Sequence, residues 1–154
     1  MGEWTRDNPG TLSLGQGVVG WGPPKAAYAE IERFREDPDN HKYQLAQGIP
    51  PLLDLIGNKL RDDNGITLHP LERIFVTAGA NMAFINAILA ITDPGDEIIL
   101  PAPYYFNHEM AVTMLGCRPV IAPTLDNHQL DLVALRSAIT ERTRAIVTIS
   151  PNNP

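Results

Sequence analysis

From residue 72 onward, short unbroken apolar runs alternate with helix-like stretches, and this rhythm restricts the fold more than any other feature. Arg73-Ile74-Phe75-Val76-Thr77 reads as a strand. Ala80 to Ile91 reads as a helix apolar nearly all round, hence expected to be buried. Asp93-Pro94-Gly95-Asp96 is the turn into a strand over Glu97 to Leu100. A helix from about Phe106 to Leu115 stops at Gly116, and the strand Pro119 to Ala122 follows. Asp131 stands where it can N-cap a helix carrying Leu132, Leu135 and Ile139 on one face, and Ala145 to Ile149 is the last strand. Strands alternating with helices in this way imply a parallel sheet covered on both faces, and continuous rather than alternating apolar runs agree. The fold class expected is α/β, a mainly parallel sheet flanked by helices.

The residues before this pattern are less regular. Gly10, Gly15, Gly17, Gly20, Gly22 and Pro23-Pro24 break any long element within residues 1–30. A helix is expected over about Ala26 to Arg35, and a second after Gly48-Ile49-Pro50-Pro51, where Leu52, Leu53, Leu55, Ile56 and Leu60 recur at helical spacing. The division read from this is an N-terminal arm with the first helix, residues 1–40, and an α/β part, residues 41–154. The sequence ends on the turn Pro151-Asn152-Asn153-Pro154 directly after a core strand, which suggests an incomplete domain.

Composition narrows the function classes. A net charge of -6 leaves no basic footprint for nucleic acid or an anionic membrane surface. No apolar run approaches the roughly 20 residues of a membrane span, and the opening residues lack the apolar region of a secretory signal. One cysteine, Cys117, excludes an internal disulfide framework and fits a reducing compartment, so a cytoplasmic location is expected.

In open α/β sheets, ligands bind beyond the carboxyl ends of the strands. Three such ends carry unusual residues. Thr77-Ala78-Gly79-Ala80-Asn81 is a small-residue turn into a helix, which offers backbone N–H groups at the positive end of the helix dipole and so suits a phosphate. A tight strand–helix connection would use the same residues. Pro101-Ala102-Pro103-Tyr104-Tyr105-Phe106 places three aromatics after a stiff exit, where one can stack on a flat ligand or all can pack inward. In Ser150-Pro151-Asn152-Asn153-Pro154 an Asn can cap the turn or donate to a ligand oxygen. Together these suit a planar, phosphorylated, heteroaromatic cofactor, and pyridoxal phosphate and flavin mononucleotide both answer that description. Gly15-Gln16-Gly17-Val18-Val19-Gly20 matches the dinucleotide fingerprint GxGxxG, but Trp21-Gly22-Pro23-Pro24 follows at once and prevents the helix that fingerprint requires.

Six motifs in order carry a family resemblance: Leu14-Gly15-Gln16-Gly17; Tyr43 to Gly48 with Pro50; Val76-Thr77-Ala78-Gly79-Ala80; Asp93-Pro94-Gly95-Asp96-Glu97; Pro101-Ala102-Pro103-Tyr104; and Pro151-Asn152-Asn153-Pro154. Over nearly its whole length the sequence resembles the N-terminal portion of class I/II aminotransferases of the aspartate aminotransferase fold. The resemblance implies pyridoxal 5'-phosphate as cofactor, amino acids and 2-oxo acids as substrates, and residues 41–154 as an incomplete cofactor-binding large domain. It implies that Gly79, Ala80 and Asn81 hold the cofactor phosphate through backbone amides. It further implies that Tyr105 stacks on the pyridine ring and that Asn153 hydrogen-bonds the cofactor's phenolic oxygen. Gly17 matches a glycine whose backbone contacts the substrate carboxylate. Tyr43 matches a tyrosine that reaches the phosphate in a neighbouring subunit, which implies a homodimer for the complete enzyme. His108 stands where many members carry another aromatic, which leaves its role open, and Cys117 reads as a small buried filler.

One departure bears on activity. Transamination requires a lysine that binds the cofactor covalently and shuttles a proton. It also requires an acid for the pyridine nitrogen and an arginine for the substrate carboxylate, and in this family all three follow the Asn-Asn-Pro turn. The lysines here are Lys25, Lys42 and Lys59, none at a strand end of the sheet. The expectation is an aminotransferase present as an N-terminal fragment without its catalytic lysine and inactive alone. The alternatives are a carbon–sulfur lyase of the same fold and a non-catalytic truncated remnant.

Overall fold

The computed structural model describes residues 2–12, 17, 19–70 and 72–153. Leu14, Gly15 and Gln16 of the first motif, Val18 of the GxGxxG match and Pro154 of the last motif lie outside the described residues. The chain divides into two compact units, Met1–Gln44 and Leu45–Pro154.

The first unit carries helices α1 (Gly2–Asp7) and α2 (Lys25–Arg33) and a 3-10 turn at Pro38–His41. The sequence reading had the opening residues irregular, whereas Gly2–Asp7 winds into one and a half turns. The Asn8 side chain closes them, donating to the Trp4 carbonyl at 2.8 Å. A helix this short leaves no periodicity to read. At the 3-10 turn, Pro38 presets the first position and the Asp37 carboxylate accepts from the Asp39 amide at 2.8 Å.

The second unit contains α3 (Pro50–Asn64), α4 (Ala80–Ile91), β1 (Glu97–Ala102), α5 (Phe106–Met114), β2 (Arg118–Pro123), α6 (Leu132–Ala138) and β3 (Thr143–Ile146). Proline opens α3, and Gly65, at φ +66°, closes it in the left-handed conformation. The strands form one parallel sheet in the order β2-β1-β3, with Ile98 level with Pro119 on one side and Ala145 on the other. The fold is α/β with helices on a parallel sheet, as the alternation of runs implied.

β1 is the centre of the core because both of its faces are covered. Ile98 and Leu100 pack with Ile88 of α4, Val112 of α5 and Cys117, while Ile99 faces Ala122 and Leu135 of α6. Cys117 is buried, as a small filler would be. At the amino end of the sheet the buried Asp96 accepts from Arg144 Nε at 3.0 Å and from the Asp93 amide at 2.9 Å. The buried Glu97 accepts from Arg118 Nη1 at 3.2 Å and Thr140 Oγ1 at 2.6 Å. Buried carboxylates need such partners, and these tie the starts of all three strands together.

Three further expectations are corrected, and the first is the last strand, which spans Thr143–Ile146 rather than Ala145 to Ile149. Residues 73–77 are not a strand: the Val76 amide donates to the Gln47 carbonyl at 2.8 Å, but no ladder forms among the described residues. An apolar run becomes a strand only where a neighbour supplies hydrogen bonds. Helix α4 is apolar all round but not buried all round. Ile88 is its buried residue, while Met82, Leu89 and Ile91 are exposed. Among the described residues, no helix is long and apolar enough to cross a membrane.

Candidate functional site

The carboxyl ends of β1 and β3 and the amino ends of α4 and α5 form the site region. Gly79 precedes α4 at φ +85°, ψ 169°, a conformation essentially restricted to glycine. Thr77 holds this turn twice: its carbonyl accepts from the Gly79 amide at 2.8 Å, and its hydroxyl donates to the Gly79 carbonyl at 3.0 Å. The Gly79 amide is therefore engaged within the turn. The amides of Ala80 and Asn81 belong to the first helical turn, whose N–H groups have no intrahelical acceptor. Among the described residues, nothing lies within 4 Å of where a Gly79 side chain would begin. First-turn amides without an intrahelical acceptor are the kind of donors that accept a phosphate.

The second contribution comes from α5. The Ala102–Pro103 bond is cis, and Tyr105 stands at the N-cap position of α5. Asn107 Nδ2 donates to the Tyr105 hydroxyl oxygen at 2.6 Å, and the Tyr105 ring meets His108 edge-on with centroids 5.4 Å apart. His108 in turn lies 4.1 Å from Phe84 of α4, tilted by 31°. A chain of rings thus joins α4 to Tyr105. Asn81 and Asn107, near the starts of the two helices, line one cavity of about 150 Å³ together with Phe84.

Tyr104 points elsewhere. It packs against the core, and its hydroxyl donates to Glu109 Oε2 at 2.7 Å, which raises its pKa above the ordinary value; partial burial and the carboxylate charge act in the same direction. Burial lowers the pKa of His108, whose buried Nδ1 has no hydrogen-bond partner. Tyr104, His108, Thr148, Ser150 and Asn152 line a cleft of about 660 Å³ above the sheet.

The third contribution is the turn after β3. Asn152 Nδ2 donates to the Pro103 carbonyl at 2.8 Å, bonding the two strand exits to each other. Asn153 is exposed, and among the described residues no hydrogen bond engages its side chain.

Of the residues singled out from sequence, Gly79, Ala80, Asn81, Tyr105 and Asn153 all belong to the second unit, at helix starts or strand exits. Gly17 and Tyr43 belong to the first. Both are exposed; among the described residues Gly17 has no neighbour within 4 Å of a would-be Cβ, and the Tyr43 side chain is fully open to solvent. Asn107 was not singled out although its partner Tyr105 is a near neighbour in sequence, and the specific Asn152–Pro103 contact joins residues far apart in sequence, which local spacing does not announce. Among the described residues, no cluster of His, Cys, Asp or Glu could hold a metal.

Known proteins share this fold. The family model for aminotransferase class I and II matches residues 9–154. An aromatic aminotransferase of Arabidopsis thaliana is 35% identical over 159 aligned residues, spanning 100% of this chain and 39% of that protein. A probable aspartate/prephenate aminotransferase of Thermus aquaticus is 44% identical over 115 residues, 73% of this chain and 30% of the relative. The crystal structure of the Rhizobium meliloti aspartate aminotransferase superposes with a TM-score of 0.88 at 30% identity, over 99% of this chain and 38% of that one. The chain thus spans about two fifths or less of the length of these relatives. With the motifs in order, the fold superposing and the family model running from residue 9 to the last residue, the chain belongs to the class I and II aminotransferases.

Proposed function

We propose that the full-length protein carrying this chain is a pyridoxal-phosphate-dependent aminotransferase that moves an amino group between an amino acid and a 2-oxo acid. The observation that carries the reading is the strand-end arrangement: first-turn amides on α4 and an Asn side chain on the adjoining turn that have no partner among the described residues, with an aromatic ring at the start of α5. These residues fit the group. The Ala80 and Asn81 amides would hold its phosphate. Tyr105, its hydroxyl oxygen tied to Asn107, would lie against the pyridine ring. Asn153 would donate to the phenolic oxygen.

When bound, pyridoxal phosphate supplies the electron sink that lets a proton leave the carbon bearing the amino group. This chain's residues bind and orient. The Gly17 backbone would receive the substrate carboxylate, and Tyr43 would reach the phosphate of a second subunit in a homodimer. The covalent lysine would come from residues outside this sequence. Lys42 lies 2.6 Å from Asp39 and Lys59 lies 3.5 Å from Asp63, both on exposed surface, while Lys25 opens α2. A cytoplasmic location belongs to the same proposal.

The test is to incubate purified full-length protein and cofactor with amino acid and 2-oxo acid pairs, following both products by proton NMR. Aromatic and dicarboxylic pairs come first, because relatives are named as aromatic and aspartate/prephenate aminotransferases. Matched appearance of a new amino acid and a new 2-oxo acid is expected. Release of thiol and ammonia from a thioether amino acid without amino transfer would instead establish the lyase.

A further inference from the structure

We infer that Asn152 is a positioning residue for Asn153, and through it for the cofactor's phenolic oxygen; this rests on the cofactor reading above. β3 ends at Ile146, and the last backbone bond that holds its extension to the sheet runs from the Val147 amide to the Ile99 carbonyl at 2.9 Å. Beyond that point, among the described residues, one hydrogen bond joins residues 148–153 to the rest of the fold. It is the donation from Asn152 Nδ2 to the Pro103 carbonyl at 2.8 Å. Asn152 is exposed, so packing does not replace the bond if it is lost.

The acceptor matters as much as the donor. Pro103 lies two residues before Tyr105, on the exit of β1. The bond therefore fixes the distance between the turn carrying Asn153 and the segment carrying the ring. A hydrogen bond to an anionic oxygen depends steeply on distance and angle, so a turn released at Asn152 would leave Asn153 present but misaimed. Asn152 itself touches no cofactor atom in this scheme, and its effect passes through its neighbour.

The experiment uses full-length protein loaded with pyridoxal phosphate and reads the pH midpoint of the bound cofactor's visible absorption. Losing a donor to the oxyanion leaves the proton more strongly held, so Asn153→Ala raises the midpoint, by about 1 pH unit if the bond is an ordinary charge-assisted one. Asn152→Leu, which keeps the volume and removes the donor, should raise it by about half as much or more. The double variant should go no further than Asn153→Ala alone, because both changes remove one interaction. Asn152→His, which restores an N–H donor, should return the midpoint toward that of the unsubstituted protein. If Asn152→Leu does not fold, Asn152→Ala takes its place in the same cycle. An unmoved midpoint for Asn152→Leu, or shifts that add in the double variant, would overturn the positioning role while leaving the cofactor reading standing. An unmoved midpoint for Asn153→Ala would overturn both.

Discussion

At Gly48 the backbone has φ +126°, and a Cβ there would sit 2.9 Å from Val76 Cγ2 and 3.2 Å from Leu53 Cδ2. Both the conformation and the space exclude a side chain, and the nearer atom belongs to the segment leading into the Thr77–Asn81 turn. Gly48→Ala should cost about 1–3 kcal/mol of stability, measurable as a lowered midpoint in urea unfolding of the full-length protein. A midpoint equal to that of the unsubstituted protein would show that the Gln47–Val76 contact yields freely. His108 offers a second prediction at this scale. Its pKa is lowered from the ordinary value of 6.5 by burial, so below that value the unfolded chain binds the proton more readily than the folded one. The His108 contribution to stability is therefore whole above about pH 6.5 and is lost as pH falls through the depressed folded-state pKa. His108→Phe keeps a ring against Phe84 and removes both the titration and the unpartnered Nδ1. It should be relatively more stable at pH 5 than at pH 7.5. Parallel denaturant curves at the two pH values check this, and an unchanged difference between variant and parent would exclude the mechanism.

Short elements depend on their ends. Helix α6 has seven residues, and the Asp131 carboxylate accepts from both the Val133 amide at 2.9 Å and the Ala134 amide at 3.0 Å. Asp131→Ala should cost about 0.5–2 kcal/mol, and because α6 delivers Leu135 to the face of β1 bearing Ile99, the loss should appear in global unfolding. If only local amide exchange in α6 accelerated, the cap would be decoupled from the core. This cap was legible in the sequence because capping is a local event between neighbours. The boundaries of α4 and α5 were legible for the same reason, with Gly79 and Gly116 marking a start and a stop. What was not legible depended on distant partners. Residues 73–77 have the composition of a strand and lack a ladder, and nothing in α4 announced which side the core would cover. The site divides along the same line. The family resemblance selected Tyr105 and Asn153 from among their neighbours, whereas His108 and Asn152 acquire their places from contacts with Phe84 and Pro103 that reach across the fold.

At the scale of the whole chain the question is how much surface is left open. The accessible area is 12559 Å² for 16.9 kDa, whereas a compact monomer of that mass exposes roughly 7,700 Å² and two separate compact bodies of 44 and 110 residues roughly 9,000 Å². Division into two units therefore does not account for the excess. The exposed side chains include apolar ones: Met82, Leu89 and Ile91 on α4, Phe106, Met110 and Met114 on α5, and Ile121 and Ile146 on the outer strands. The sheet has β2 and β3 as its edges, and among the described residues neither has a further strand beside it. Open edges next to exposed apolar side chains invite pairing with other chains, which a net charge of -6 opposes only weakly at physiological salt. The 154-residue chain expressed alone should self-associate. Sedimentation velocity over a hundredfold concentration range should show species heavier than the monomer that grow with concentration, and a dye that reports apolar surface should bind strongly. A full-length protein that covers α4, α5 and the strand edges should lose both behaviours down to a defined assembly. A 154-residue chain that sedimented as a compact monomer throughout, unfolding cooperatively without binding the dye, would mean that this surface is closed in solution by a rearrangement of the second unit.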